Sequence, residues 1–149
     1  MMLKAWMLVL CLAVNLYLMG VMVLFATVVY PQLGAVERGG FLPVYQAFNG
    51  RIGGPVVIWE FAAFAVTLAL YAARLDSTPP WAVHLAVGLS VAYFAVTFGW
   101  HLPSHRALAA GDNSAAALAP LLMSQWVRAV VQVVKAGLLC WLAALAMAR

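Results

Sequence analysis

Acidic side chains are nearly missing from this sequence: Asp and Glu number four in 149 residues, and Lys and Arg only eight. So few charges, together with 67% hydrophobic residues and a mean hydropathy of +1.02, place the chain outside the range of soluble domains. The cations are scattered, with no basic run and no interleaving of basic and aromatic residues, so no nucleic-acid partner is expected. Cysteine is scarce too. Cys11 and Cys140 both fall in apolar stretches, where they read as small core residues rather than as a disulfide. CxxC and Gly-rich phosphate loops are absent, which leaves thioredoxin-like and nucleotide-binding chemistry without support.

What the chain does have is long hydrophobic runs. Four of them, at about 5–30, 55–74, 81–101 and 117–147, each reach the roughly 20 residues that cross a hydrocarbon core. A bilayer admits only helices and closed barrels, and these runs far exceed a barrel strand. The sequence therefore predicts an all-α fold, an integral membrane four-helix bundle forming a single domain over 1–149. The first run follows Lys4 but is too long for a signal peptide, so it reads as a retained helix.

With four spans, both termini and the turn LDSTPP (75–80) share one side. The connection 31–54 and the region from His101 to about Ala116 lie on the other. Lys4, Arg74 and Arg149 on the first side balance Arg38, Arg51 and Arg106 on the second, so the loop charges give no orientation. Within the first long connection, Gly39 and Gly40 precede FLPVYQAFNGRI, where Phe41, Val44, Tyr45 and Phe48 recur at helical spacing; this predicts a short amphipathic helix in that loop. In the second, Asp112, Asn113 or Ser114 offers an N-cap, with Pro120 near the start of the fourth helix.

Polar residues inside spans carry the functional signal. In QWVRAVVQVVK, the residues Gln125, Arg128, Gln132 and Lys135 share one helix face about 80° wide. Glu60 is the one acid within any predicted span, at a depth that matches Arg128. A charge in a membrane costs roughly 2.5–3.5 kcal/mol and normally faces a partner in the bundle interior. Glu60 and Arg128 are therefore expected to meet, as a structural ion pair or as a substrate-binding or proton-handling pair. Lys135, two turns deeper, either snorkels or binds a ligand's anionic or carbonyl group. Asn15 reads as an interhelical hydrogen-bonding residue.

His101 and His105, four residues apart, could join Glu60 in a two-His, one-carboxylate site for a transition metal such as iron or copper; the alternative is interfacial histidines and no cofactor at all. Pro103 between them is expected to bend or end the helix. His84, near the other end of that span, reads as interfacial. Trp6, Trp81 and Trp141 fit an aromatic belt on the terminal side and Tyr30 one on the other. Trp59 and Trp126 adjoin Glu60 and Arg128, where they either wall a flat ligand or simply pack. Gly20, Gly88 and Gly137 offer close helix contacts within or between protomers, so a homo-oligomer is a possible state.

Two longer segments carry a family likeness. VVYPQLGAVERGGFLPVYQAFNGRIGGPVVIWE, with Tyr30-Pro31, Tyr45, Arg51 and Glu60, and HLPSHRALAAGDNSAAALAPLLMSQWVR, with Pro103-x-His105, Gly111 and Trp126-x-Arg128, resemble the small four-helix membrane proteins grouped around anthrone-oxygenase-like domains of unknown function. The resemblance covers about residues 28 to 137 and implies oxidation of polycyclic anthrones to anthraquinones. It points to Glu60, His105, Trp126 and Arg128, and to the bacterial inner (plasma) membrane as the location. His101 stands where that family favours an amide, and Gln125 where it favours Asn. The expected function is thus an intramembrane oxidoreductase-like enzyme for a lipophilic aromatic or quinone-like molecule drawn from the lipid bilayer. His105, Arg128 and Glu60 would be catalytic; Trp126, Trp59, Tyr45, Arg51, Gln125, Gln132 and Lys135 would bind substrate. The alternatives are a non-catalytic protein that binds or transports an anion, metal ion or lipid, and an assembly subunit.

Overall fold

The computed structural model describes residues 2–73 and 78–148. Four helices account for nearly all of them: α1 (Leu3–Gly34), α2 (Arg38–Ala72), α3 (Pro80–Ala109) and α4 (Ala115–Met147), each long and apolar enough to cross a membrane. This is the all-α bundle expected of an integral multi-pass membrane protein. Going round the bundle, α1 packs on α2, α2 on α3, α3 on α4 and α4 on α1. The pairs α1/α3 and α2/α4 are thus the two diagonals.

Each helix is longer than its predicted run. At 1.5 Å per residue, the 35 residues of α2 extend about 50 Å, well beyond a hydrocarbon core of about 30 Å. The excess lies mostly at one end. The predicted amphipathic segment is helical, but it continues into the second span without interruption, through Pro43 and Pro55, and Gly39 and Gly40 lie in its first turn. What the sequence suggested were long connections are therefore residues 35–37 and 110–114, and the mouth of the bundle is a helical cap. Phe41, Tyr45, Leu108, Leu118 and Leu121 form the buried core of that cap. Val44, expected on its apolar face, points outward.

Proline explains how α1 and α3 run on. Both contain one wider, π-type turn, at Phe25–Val29 and Thr97–His101, standing just before Pro31 and Pro103. A proline cannot donate its backbone N–H and crowds the carbonyl four residues back. Widening the turn relieves the crowding: the N–H of Tyr30 donates to Phe25 O, and that of Leu102 to Thr97 O. Pro103 therefore neither ends nor sharply interrupts α3.

The short connection after α3 is closed by Gly111, whose φ of +89° suits a residue without Cβ. Its N–H donates to Leu108 O and that of Asp112 to Ala107 O, the paired bonds of a Schellman motif. Ser114 then caps α4 by accepting from the N–H of Ala117 at 3.2 Å. Asn113 Nδ2 donates to Val36 O at 2.8 Å and ties the two connections together. Of the predicted turn on the opposite side, residues 75–77 lie outside the described residues, as do Arg74 and Arg149.

Candidate functional site

Helical periodicity places two polar stripes opposite each other inside the bundle. On α4, Ser124, Gln125, Arg128, Gln132 and Lys135 are all buried; on α3, so are Ser90, Tyr93, Thr97 and His101. In lipid a polar side chain finds a partner or stays costly, and most of these do. Gln132 Nε2 donates to both Asn15 O and Asn15 Oδ1 at 3.0 Å, and Gln125 Nε2 to Met22 O at 2.9 Å. These bonds lock α4 to α1.

Glu60 and Arg128 form an ion pair across the α2/α4 diagonal, through Glu60 Oε1 and Arg128 Nη2. Tyr93 completes the group. Its hydroxyl donates to the same Oε1 at 2.8 Å and accepts from Arg128 Nη2 at 2.6 Å. Gln125 Oε1 accepts from Arg128 Nη1 at 3.0 Å. The guanidinium is held on two edges, yet its buried Nε–H has no acceptor among the described residues.

One helical turn toward the cap, a second chain of hydrogen bonds runs from α2 through α3 to α4. Ser124 Oγ donates to Leu121 O at 2.9 Å, so it accepts from His101 Nδ1–H, also at 2.9 Å. A neutral His101 is then bare at Nε2. That lone pair lies 3.2 Å from the Tyr30 hydroxyl and 3.3 Å from His105 Nε2. The Tyr45 hydroxyl lies 2.6 Å from His105 Nδ1 and 3.4 Å from His105 O. Tyr45, His105, His101 and Ser124 thus form one continuous hydrogen-bonded chain, in which the two imidazoles meet through facing Nε2 atoms.

Both groups wall one cavity of about 170 Å³. Phe25 and Tyr30 of α1 and Arg128 of α4 form its back; Phe48, Ile52, Gly53, Val56 and Glu60 come from α2, and Thr97, His101 and His105 from α3. Val57, Phe61, Phe98 and Leu102, also lining it, are apolar and 43–55% exposed. The cavity therefore opens sideways between α2 and α3, past a hydrocarbon-like rim.

Several expected site residues lie elsewhere. Trp59 and Trp126 are exposed on the outer surface, Trp59 against Tyr17, and neither lines the cavity. Helix phase explains this: each is one or two residues from a buried charge, a step that swings a side chain to the other face. Arg51 is likewise exposed and off the cavity. Tyr45 reaches the site through His105 alone, and Gln125 and Gln132 serve as interhelical ties, Gln125 also holding Arg128. Tyr30, expected in an interfacial belt, is buried beside His101.

The three-ligand metal site does not form. Among the described residues no three His, Cys, Asp or Glu side chains gather as metal ligands, because Glu60 Oε1 is turned to Arg128 and Tyr93 while the histidines face each other. Lys135 does not snorkel: it is 2% exposed and lines a second, water-sized cavity with Glu60, Ser90, Tyr93 and Gln132. Cys11 is buried, Cys140 exposed, and both are free thiols. His84, Trp6, Trp81 and Trp141 all sit on the outer surface, as belt residues do. Gly20, Gly88 and Gly137 face open space and join no helices of this bundle.

Tyr93, Thr97 and Ser124 were not anticipated as site residues. Their signal is the spacing of Ser90, Tyr93, Thr97 and His101, which repeats on α3 the stripe that is conspicuous on α4. Comparison of the chain with protein families, curated proteins and solved structures finds no match.

Proposed function

We propose that this protein is an intramembrane enzyme of the oxidoreductase type, acting on a lipophilic aromatic or quinone-like molecule that enters from the lipid between α2 and α3. The observation that carries the reading is the convergence, on one aromatic cavity, of two imidazoles and an arginine. Nothing in a structural ion pair requires the imidazoles. An engineered cavity of about 150 Å³ holds benzene, so 170 Å³ takes one ring fully, with a fused system continuing into the lateral opening. The sequence likeness to anthrone-oxygenase-like proteins supports the same substrate class, in the inner membrane of a bacterial cell.

The chemistry follows from the groups present. A methylene flanked by aromatic rings and conjugated to a carbonyl is acidic, and an imidazole of the His101–His105 pair accepts its proton. Arg128 stabilises the oxyanion that develops on the carbonyl oxygen, in a site of low dielectric where such an interaction is strong. Glu60, Tyr93 and Gln125 hold Arg128 in place. The electron-rich anion is then oxidised by dioxygen. Overall the CH₂ group becomes C=O, with one O₂ consumed and one water released.

The test is turnover of a lipophilic anthrone by the protein in nanodiscs under air, followed by quinone absorbance. Wild type should exceed empty nanodiscs, and Arg128→Met and His105→Ala should each lose about 10²-fold or more. Rates equal to empty nanodiscs would leave a binding protein and sink the enzyme.

A further inference from the structure

Resting on that reading of the cavity, charge arithmetic narrows its ligand. Among the described residues, the buried side chains able to carry a full charge are Glu60, His101, Arg128 and Lys135. A neutral His101, bonded to Ser124 through Nδ1 and to His105 through Nε2, adds nothing to the count. Arg128 and Glu60 cancel. Lys135 remains as the extra cation.

Lys135 is only 2% exposed and lines the small cavity. Its cavity has a volume of about 10 Å³, room for about one water, and Glu60 forms part of the same wall. Glu60 lines the larger cavity as well. Its Oε1 takes both Arg128 and Tyr93. One carboxylate thus stands between two cations, in surroundings where an uncompensated charge is expensive. Among the described residues, the polar core lacks one negative charge and Arg128 Nε–H lacks one acceptor.

We infer that the ligand of the larger cavity binds as an anion, a lipophilic phenolate, enolate or carboxylate held beside Arg128, its charge balanced by Lys135. Lys135 is then a specificity residue acting through the field of the site rather than by contact. It favours acidic lipophiles over neutral ones of the same shape.

A matched pair of fluorescent probes tests this. The protein is placed in phosphatidylcholine nanodiscs, free of anionic lipid, and titrated with 2-naphthoate and with 2-naphthalenemethanol, each corrected for partition into empty discs. Wild type should bind the carboxylate roughly tenfold tighter than the alcohol, the margin by which charge-assisted hydrogen bonds exceed neutral ones. Lys135→Met, a long apolar replacement, should bring the carboxylate down to the alcohol's affinity and leave the alcohol unchanged, which also shows that the variant folds. Equal affinity in wild type, or an unchanged preference in Lys135→Met, overturns the anion assignment and leaves the aromatic cavity standing. Failure of both probes to bind overturns the cavity reading itself. A carboxylate displaced by added phosphatidylglycerol would keep the anion site but give it to a lipid headgroup, overturning the aromatic substrate.

Discussion

Arg128 and Glu60 stand on diagonally opposite helices, α4 and α2, yet their side chains meet inside the bundle. The pair therefore bridges a diagonal of the bundle, and Tyr93 braces it from α3. Removing one partner leaves the other charged and buried, which costs about 3–5 kcal/mol. Glu60→Gln and Arg128→Met should each destabilise by that order. The double variant should lose much less than the sum, as measured by reversible unfolding in mixed micelles.

The tautomer assigned to His101 can be seen directly. Nitrogen-15 NMR of histidine-labelled protein should resolve three rings, His84, His101 and His105, with His101 as the Nδ1–H tautomer. Tyr45→Phe removes the partner of His105 Nδ1 and should shift that ring's resonances. Turnover in the anthrone assay should fall by about 10²-fold, because the proton acceptor is no longer fixed. Unchanged His105 resonances in Tyr45→Phe would contradict the network.

The position of the cavity separates residues that look alike in sequence. Trp59→Ala, Trp126→Ala and Arg51→Ala alter exposed side chains and should shift stability by no more than about 0.5 kcal/mol, with naphthyl binding retained. Gly53 lines the cavity, and a Cβ there meets Asn49 Oδ1 at an ordinary 3.6 Å. Gly53→Ala should thus be tolerated, while the longer Gly53→Leu fills the cavity and abolishes probe binding in a folded protein, as judged by circular dichroism.

Outside the spans, the turn before α4 has a pH signature. The backbone N–H and the side chain of Ser114 hold the Asp112 carboxyl below its ordinary value. The folded-state pKa is depressed, so the stability it contributes is present above the unfolded value of about 3.9 and is lost as pH falls through the folded one. Ser114→Ala also removes the cap on Ala117, at a cost of about 1 kcal/mol. Hydrogen exchange at Ala117 should quicken in that variant, and in wild type as pH drops below about 4 once intrinsic exchange is corrected.

The four spans and the pairing of Glu60 with Arg128 were legible because membrane energetics leaves few alternatives for twenty apolar residues or for a lone buried acid. Helix ends were not, since Gly39, Gly40 and Pro103 read as breakers by rules that hold in water. Inside a bundle, π-type turns and neighbouring helices absorb them. Trp59 and Trp126 misled for another reason: proximity in sequence to a charge is the opposite of proximity on a helix face. The hydroxyls of Tyr93 and Ser124 passed unnoticed because Tyr and Ser are ambiguous residues in a span, and only their register with His101 and Arg128 gives them meaning.

Gln132 tests how far the polar interior is structural rather than functional. It lies one turn deeper than Arg128, and its amide donates twice to Asn15, whose own Nδ2 donates to Cys11 O at 2.8 Å. Interhelical bonds of this kind average about 0.6 kcal/mol in a membrane, with a maximum near 1.7. Gln132→Leu should therefore weaken the α1/α4 contact by about 1 kcal/mol. Because Gln132 does not line the larger cavity, probe affinity and anthrone turnover should hold at wild-type levels after correction for the folded fraction. A selective loss of carboxylate binding in Gln132→Leu would instead show that this amide, which shares the small cavity with Lys135, sets the lysine's charge.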